Sequence, residues 1–182
     1  MATIFRLFLT LSALLLTFGV FLANKGFAAL NGLHPSLANT PPFISYLLYF
    51  LAAIFVAWLT GKVAYFLSDD TILEQSITQI ESANDVYLPS YLGYFFVALS
   101  TQDLSVFAFV FGIICLFIFC SRAAYFNPLY FVFRYQFYYA TTTNNIKILI
   151  ITRQHLKDPS AVQFDRIKRI NDFTFIDIEG AR

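Results

Sequence analysis

Two groups of charged side chains could bind a partner, and the first is acidic. Asp69, Asp70 and Glu74 open a polar segment, residues 68–85, that lies between long uncharged runs. Neighbouring carboxylates can hold a metal ion or carry protons in catalysis, but adjacent acids at the start of a helix usually cap it. We therefore predict that these residues are not catalytic and that they belong to a surface on which a separate protein docks.

The second group is basic. Arg166, Lys168 and Arg169 lie close together between Asp165 and Asp172. Such a cluster could contact nucleic acid or the headgroups of membrane lipids. Three positive charges with an acid on either side make a weak electrostatic patch, which favours a solvated or lipid-facing edge over direct binding of nucleic acid. We assign these residues to partner binding as well.

The sequence lacks the motifs that are typical of catalysis. It has no nucleophile elbow, phosphate-binding loop, dinucleotide-binding loop or zinc-protease motif. Cys115 and Cys120 are five residues apart, which is not the CxxC spacing of redox and zinc sites. His34 and His155 are far from each other in the sequence. We predict a protein that is not an enzyme and that uses no metal or cofactor.

The composition indicates what must position these residues. Of the 182 residues, 58% are hydrophobic and 19% aromatic, whereas only 13% are charged; an ordinary soluble domain has about 25% charged residues. Mean hydropathy is +0.65. These values exclude a freely soluble enzyme, a secreted disulfide scaffold and a disordered tail, and they predict a membrane protein.

Four uncharged runs predict helices in a hydrocarbon layer about 30 Å thick. The first run could instead be a signal peptide, but its apolar core exceeds the usual length of about 7–15 residues and lacks a small-residue cleavage site. Pro89 and Gly93 interrupt the third run. The predicted fold is an α-helical membrane protein with four transmembrane helices and a small C-terminal β-rich cytoplasmic domain. The predicted spans are Leu7–Asn24, Phe43–Gly61, Val86–Gln102 and Leu104–Ser121.

The distribution of basic residues predicts the orientation, because Lys and Arg near membrane spans favour the cytoplasmic side. Nine of the twelve Lys and Arg residues follow residue 121. This asymmetry predicts a multi-pass protein with both termini in the cytoplasm, and four spans then place segment 68–85 there too.

Residues 1–126 are predicted to form the transmembrane domain, and residues 127–182 the β-rich domain. In segment 68–85, apolar residues recur at helical spacing (Ile72, Leu73, Ile77 and Ile80). This pattern predicts an acidic amphipathic helix, which either packs against its own bundle or tail or docks a partner.

The β-rich domain is predicted from a change of period. Aromatic residues alternate over 131–139, a Thr- and Asn-rich turn follows, and 146–152 is a second β-branched run, which together predict a hairpin. Residues 162–170 fit either a helix or a strand, and 173–178 predict a last strand. A domain of about 50 residues buries little core by itself, so its aromatic surface predicts contact with a partner or with sister subunits.

Three segments of the C-terminal part carry a family resemblance. RYQFYY at 134–139, ILIITR at 148–153 and RINDFTFID at 169–177 resemble the membrane subunit of the Kiwa anti-phage defence system, the KwaA family. The resemblance implies a bacterial inner-membrane protein that forms a homo-oligomer, with a tetramer expected. It also implies a cytosolic, DNA-binding partner subunit, with which the protein restrains phage DNA replication or expression.

The leading functional hypothesis is a non-enzymatic inner-membrane sensor and scaffold that recruits this cytosolic subunit and itself contacts membrane lipid but no nucleic acid. Two alternatives stay open. One is a small oligomeric channel that depolarises the membrane, and the other is an assembly factor for a larger membrane complex.

Overall fold

The computed structural model describes residues 2–34, 37–70, 77–121, 127–159, 162, 164 and 166–178. They belong to two compact units, each made from separate stretches of chain. The sheet unit comprises Met1–Arg6, Trp58–Leu88 and Pro128–Arg182, and the helical unit comprises Leu7–Ala57 and Pro89–Asn127.

The helices are apolar over most of their length. Pro42 opens the third of them, where its missing N–H group and fixed φ favour a helix start. The carboxylate of Asp103 caps the fifth by accepting hydrogen bonds from the backbone N–H groups of Ser105 and Val106. The α-helices are α1 Ala2–Asn24, α2 Ala29–Leu33, α3 Pro42–Val63, α4 Asn84–Ser100 and α5 Leu104–Ser121, and 3₁₀ helices form at Ala64–Phe66 and Pro128–Phe133.

The prediction of four transmembrane helices is wrong. In the part of the chain that the structure describes, two helical stretches are long and apolar enough to cross a membrane, Phe5–Asn24 and Pro42–Phe66. The apolar stretches Tyr91–Ser100 and Leu104–Cys120 are shorter, with at most 17 residues. At 1.5 Å per residue, 17 residues span about 26 Å, less than the hydrocarbon layer. The third uncharged run contains only the shorter apolar stretch Tyr91–Ser100, and the fourth, Leu104–Cys120, falls just short of the length that a span requires.

The core of the helical unit is aromatic where α1 meets α5. Phe21 and Phe107 are buried and their rings stack with centroids 3.8 Å apart. Ala98 of α4 completes this cluster. Asn24, at the end of α1, donates a hydrogen bond of 2.9 Å to the carbonyl of Leu99. These contacts hold α1, α4 and α5 together at one end.

The sheet has six strands in the order β1-β5-β6-β4-β3-β2. Neighbouring strands are antiparallel except β4 and β6, which are parallel. The strands are β1 Asp69–Asp70, β2 Ile77–Ser82, β3 Gln136–Thr142, β4 Lys147–Thr152, β5 Ile167–Asn171 and β6 Thr174–Asp177.

The prediction of an amphipathic helix in segment 68–85 is also wrong. The segment supplies the two outer strands, β1 and β2, and α4 already begins at Asn84. Residues 71–76, which include Ile72, Leu73 and Glu74, lie outside the described part of the chain. The mixed sheet is therefore not built by the C-terminal residues alone, as the predicted fold class required, because its outer strands come from a distant part of the sequence.

The predicted hairpin is present as β3 and β4, although its first strand begins five residues later than the alternation indicated. Asn145 closes the turn with a φ of 62°, a left-handed conformation that asparagine tolerates well. The ambiguous stretch 162–170 ends in β5, and the last predicted strand is β6. Ile148 and Ile150 of β4 pack with Val162 and Phe175 in the core of the sheet unit.

Candidate partner-binding site

The predicted acidic and basic residues meet at one edge of the sheet. Strand β1 pairs antiparallel with β5, so that Asp69 lies opposite Lys168. The Lys168 Nζ atom is 2.7 Å from Asp69 Oδ1, and the Arg169 Nε atom is 3.8 Å from Asp70 Oδ2. Arg169 also forms a 2.8 Å ion pair with Asp172. We call these residues, with Arg166, the β1–β5 ion cluster; Glu74 lies outside the described residues.

Lys168 is the buried member of the cluster. Its side chain is only 7% exposed, and its Nζ atom also donates a 2.9 Å hydrogen bond to the carbonyl of Leu67. The backbone N–H of Arg169 donates to the carbonyl of Ser68 at 3.1 Å. These contacts tie the chain that follows α3 to strand β5.

Asp69 presents the opposite case, because its side chain is 65% exposed. The hydrogen bond from Lys168 holds the pKa of the Asp69 carboxyl below its usual range; desolvation opposes this effect, and the positive charges of Lys168 and Arg166 lower the pKa further. The carboxylate is therefore ionised at neutral pH and reaches solvent while it stays paired.

The β1–β5 ion cluster balances its charges within the fold. It holds three carboxylates, of Asp69, Asp70 and Asp172, and three basic groups. A partner that docks here meets a surface of alternating charge, with Asp69, Asp172 and Arg169 the more exposed side chains. The binding role of these residues stays a prediction. The structure adds that the acidic and basic residues form ion pairs with each other.

A second polar cluster was not predicted from the sequence. Asp177 of β6 is 1% exposed and accepts hydrogen bonds from Thr152 Oγ1 at 2.6 Å and Gln154 Nε2 at 3.2 Å. The guanidinium of Arg153 lies 4.5 Å from the ring centre of Tyr135. Asp177 is the last residue of β6, in which all four residues are buried, and no sequence motif marks this aspartate as a buried one.

The nearby tyrosines are also buried. Burial raises the pKa of Tyr135, an effect that the Arg153 charge partly opposes. Tyr130 is 1% exposed, its pKa is raised by burial, and its hydroxyl has no hydrogen-bond partner among the described residues. Because both pKa values are raised, Tyr130 and Tyr135 are neutral core residues at ordinary pH.

Hydroxyl groups of α1 serve packing in the helical unit. Ser12 Oγ donates to the carbonyl of Leu9 at 3.0 Å and accepts a 2.8 Å hydrogen bond from Asn127 Nδ2. Both Ser12 and Asn127 are fully buried. The Ser12 hydroxyl therefore bonds to the backbone of its own helix and to a buried side chain within the helical unit.

Cys115 and Cys120 are both free thiols. Within the described ranges, no group of three or more His, Cys, Asp or Glu side chains is arranged to hold a metal ion. The prediction that the protein uses no metal or cofactor stays a prediction.

The chain thus combines long apolar helices with a mixed β-sheet whose edge is held by ion pairs, and this combination defines its class. A comparison with protein-family models assigns the chain to a family. A family model described as anti-phage protein KwaA matches residues 5–176, nearly the whole chain. The chain therefore belongs to the KwaA family, which confirms the resemblance, and its role lies in anti-phage defence. No curated protein and no solved structure matches it.

Proposed function

We propose that the protein is a non-enzymatic membrane sensor and scaffold of an anti-phage defence complex, and that it recruits a cytosolic, DNA-binding partner subunit to the bacterial inner membrane. The observation that carries the membrane part is the surface of α3. Only 22% of its most apolar stretch is buried. Soluble proteins rarely expose so large an apolar surface without a partner or a membrane to cover it.

The last turns of α3 support this placement. The Lys62 Nζ atom lies 5.6 Å from the ring centre of Trp58 and 5.8 Å from that of Tyr65. Phe66, the next residue, is 73% exposed. Trp and Tyr concentrate where a bilayer meets water, and lysine extends its charge from that depth. We place the water–lipid boundary near Lys62, so that the β1–β5 ion cluster lies in water.

The side of the membrane follows from the basic residues. The sheet unit contains Arg134, Lys147, Arg153, Arg166 and Lys168. Lys and Arg near membrane segments favour the cytoplasm, where a DNA-binding subunit would also be found. The β1–β5 ion cluster is then accessible to that subunit.

Co-purification tests the proposal. The full chain, extracted from membranes, should retain the soluble subunit encoded beside it. Arg169→Glu should release that subunit, whereas Lys147→Glu should not. Lys147 forms an equally exposed pair with Glu81, 3.0 Å long, at the other edge of the sheet, which makes it a matched control.

Three results would count against the proposal. They are a chain that leaves the membrane in alkaline extraction, a chain isolated without any partner, and equal loss of the partner in both variants. Ion flux through liposomes that contain the purified chain would instead support the channel alternative.

A further inference from the structure

Helices α1 and α5 pack closely at one end and separate at the other. At the closed end, the rings of Phe18 and Phe21 contact those of Phe107 and Phe111, with centroids 3.8–6.2 Å apart. Toward the start of α1, a groove of about 380 Å³ lies between the two helices. It is lined by Leu7, Thr10 and Leu11 of α1 and by Gly112, Cys115, Leu116 and Phe119 of α5.

On the α5 side, the groove is open at Gly112, which has no side chain. A Cβ atom placed on Gly112 would meet no other atom within 4 Å. Leu7, Leu11 and Leu116, at the rim, are each about half exposed (48–58%). The opening therefore leads from an apolar interior to an apolar surface, as expected for a groove that opens into hydrocarbon.

The size and chemistry of the groove select the occupant. Its volume falls in the range of about 300–1,000 Å³ that is typical of small-ligand sites. None of the lining residues is charged, so a charged group has no counterion there. A small apolar ligand fits the volume and the uncharged lining of this groove.

We propose that this groove binds one acyl chain of a membrane phospholipid. A methylene group occupies about as much volume as a water molecule, roughly 30 Å³, so that the groove holds about a dozen. A bound chain supplies the dispersion contacts that the walls of a void would lack. The proposal rests on the proposed membrane function, with the Phe5–Asn24 stretch of α1, which is long and apolar enough to cross a bilayer, in the membrane beside α3.

Native mass spectrometry of the full chain, released from mild detergent after extraction from membranes, tests this site. The wild-type chain should carry one phospholipid per chain. Gly112→Leu should lower that retention at least about tenfold, which corresponds to losing about two buried methylenes. Gly93→Leu in α4 is the matched control, because Gly93 also has open space at its Cβ position but does not line the groove; it should retain the lipid.

A second filling variant, Cys115→Phe, replaces Gly112→Leu if that chain does not fold. A wild-type chain that sediments with membranes but carries no lipid would overturn the site without touching its membrane placement. Equal retention in Gly112→Leu and Gly93→Leu would overturn it as well. In a Cys120→Ser background, a disulfide between the Cys115 residues of two chains after oxidation would show that a second copy occupies the groove, contrary to the proposal.

Discussion

Lys168 has two partners at the sheet edge, a carboxylate in solvent and a backbone carbonyl. Its buried stem and ammonium group link β5 to the chain that leaves α3 through Asp69 and Leu67. The two members of the ion pair are unequal, because the lysine is shielded from water and the aspartate is not. The pair thus has an anchor, Lys168, and an exposed end that a partner can reach.

Removing the anchor should cost more than removing the exposed end. Lys168→Ala loses the packing of the stem and leaves the Leu67 carbonyl without this donor, and we expect a loss of about 2–3 kcal/mol in the free energy of unfolding. Asp69→Asn should cost less, because the Asp69 side chain is 65% exposed, the asparagine amide oxygen can still accept from Lys168, and Lys168 keeps its hydrogen bond to Leu67. Thermal unfolding in detergent measures both, with Lys168→Met, which keeps the packing, in between. An Asp69→Asn loss as large as that of Lys168→Ala would contradict this.

The lowered pKa of Asp69 predicts an acid-dependent loss of stability. Its folded pKa lies below its unfolded value of about 3.9. The stabilisation is therefore present above the unfolded pKa and is lost as the pH falls through the folded pKa. As the pH is lowered from about 5 through the unfolded pKa of about 3.9, the melting temperature of the wild-type chain should fall more than that of Asp69→Asn. Parallel profiles for the two chains would show that the pair contributes nothing.

At the scale of elements, the geometry of edge strand β2 explains why the sequence pattern of segment 68–85 predicted a helix. The register of β2 against β3 shifts between Ile77 and Gln79. Such a bulge adds a residue to one strand, so that Ile77 and Ile80, three apart, both pack on the sheet core. Three-residue spacing is also the signature of a helix. A second irregularity in β5, between Arg169 and Asn171, accompanies the stretch whose type the sequence left open.

The local elements were predictable and the distant pairings were not. Strands β3 and β4 are joined by a short turn with a suitable residue, Asn145, and their pattern could be read directly. The pairing of Asp69 with Lys168 joins residues about a hundred positions apart. The sequence selected both charged groups as a site, but it gave no means to see that they bind each other.

Gly19 of α1 lies close to α3. A Cβ atom there would lie 3.2 Å from the Cβ atom of Tyr49, whose hydroxyl donates a 2.8 Å hydrogen bond to the Phe27 carbonyl. Gly19→Leu should therefore destabilise the helical unit by about 1–3 kcal/mol through overpacking. Gly61→Leu, in α3 with open space at its Cβ position, should not. Unfolding of the two variants in the same detergent compares them, and equal stability would argue against close packing at Gly19.

For the molecule as a whole, the aromatic residues of the C-terminal part have a different meaning from the one expected. They seemed too many for a domain in water and so predicted a partner. In the structure, Tyr130, Tyr135, Phe137 and Tyr138 are buried within the sheet unit itself, each at most 8% exposed. The proposed partner therefore has its structural support in the exposed charges of the β1–β5 ion cluster, and no longer in these four aromatic side chains.

A substitution at Phe55 tests the membrane placement, because a helix in a bilayer and a helix in water should respond in opposite ways. It lies near the middle of the Pro42–Phe66 stretch and is 60% exposed. In a bilayer, Phe55→Arg should oppose insertion by about 2.5–3.5 kcal/mol, and the fraction of the chain in washed membranes should fall. Arg134→Ala, in the sheet unit, should leave this fraction unchanged. If α3 were a surface helix in water, Phe55→Arg would instead raise solubility and leave localisation unaltered.

The order of strands in the sheet also restricts how the chain can thread a bilayer. Strand β2 precedes α4 and α5, whereas its neighbour β3 follows them, and hydrogen-bonded strands cannot be separated by a membrane. The number of crossings between Ser82 and Gln136 must therefore be even, zero included. Cysteines at Thr78 and Asn144, in a chain without its native thiols, should react with an impermeant maleimide from the same side. Labelling from opposite sides would be incompatible with the pairing of β2 and β3.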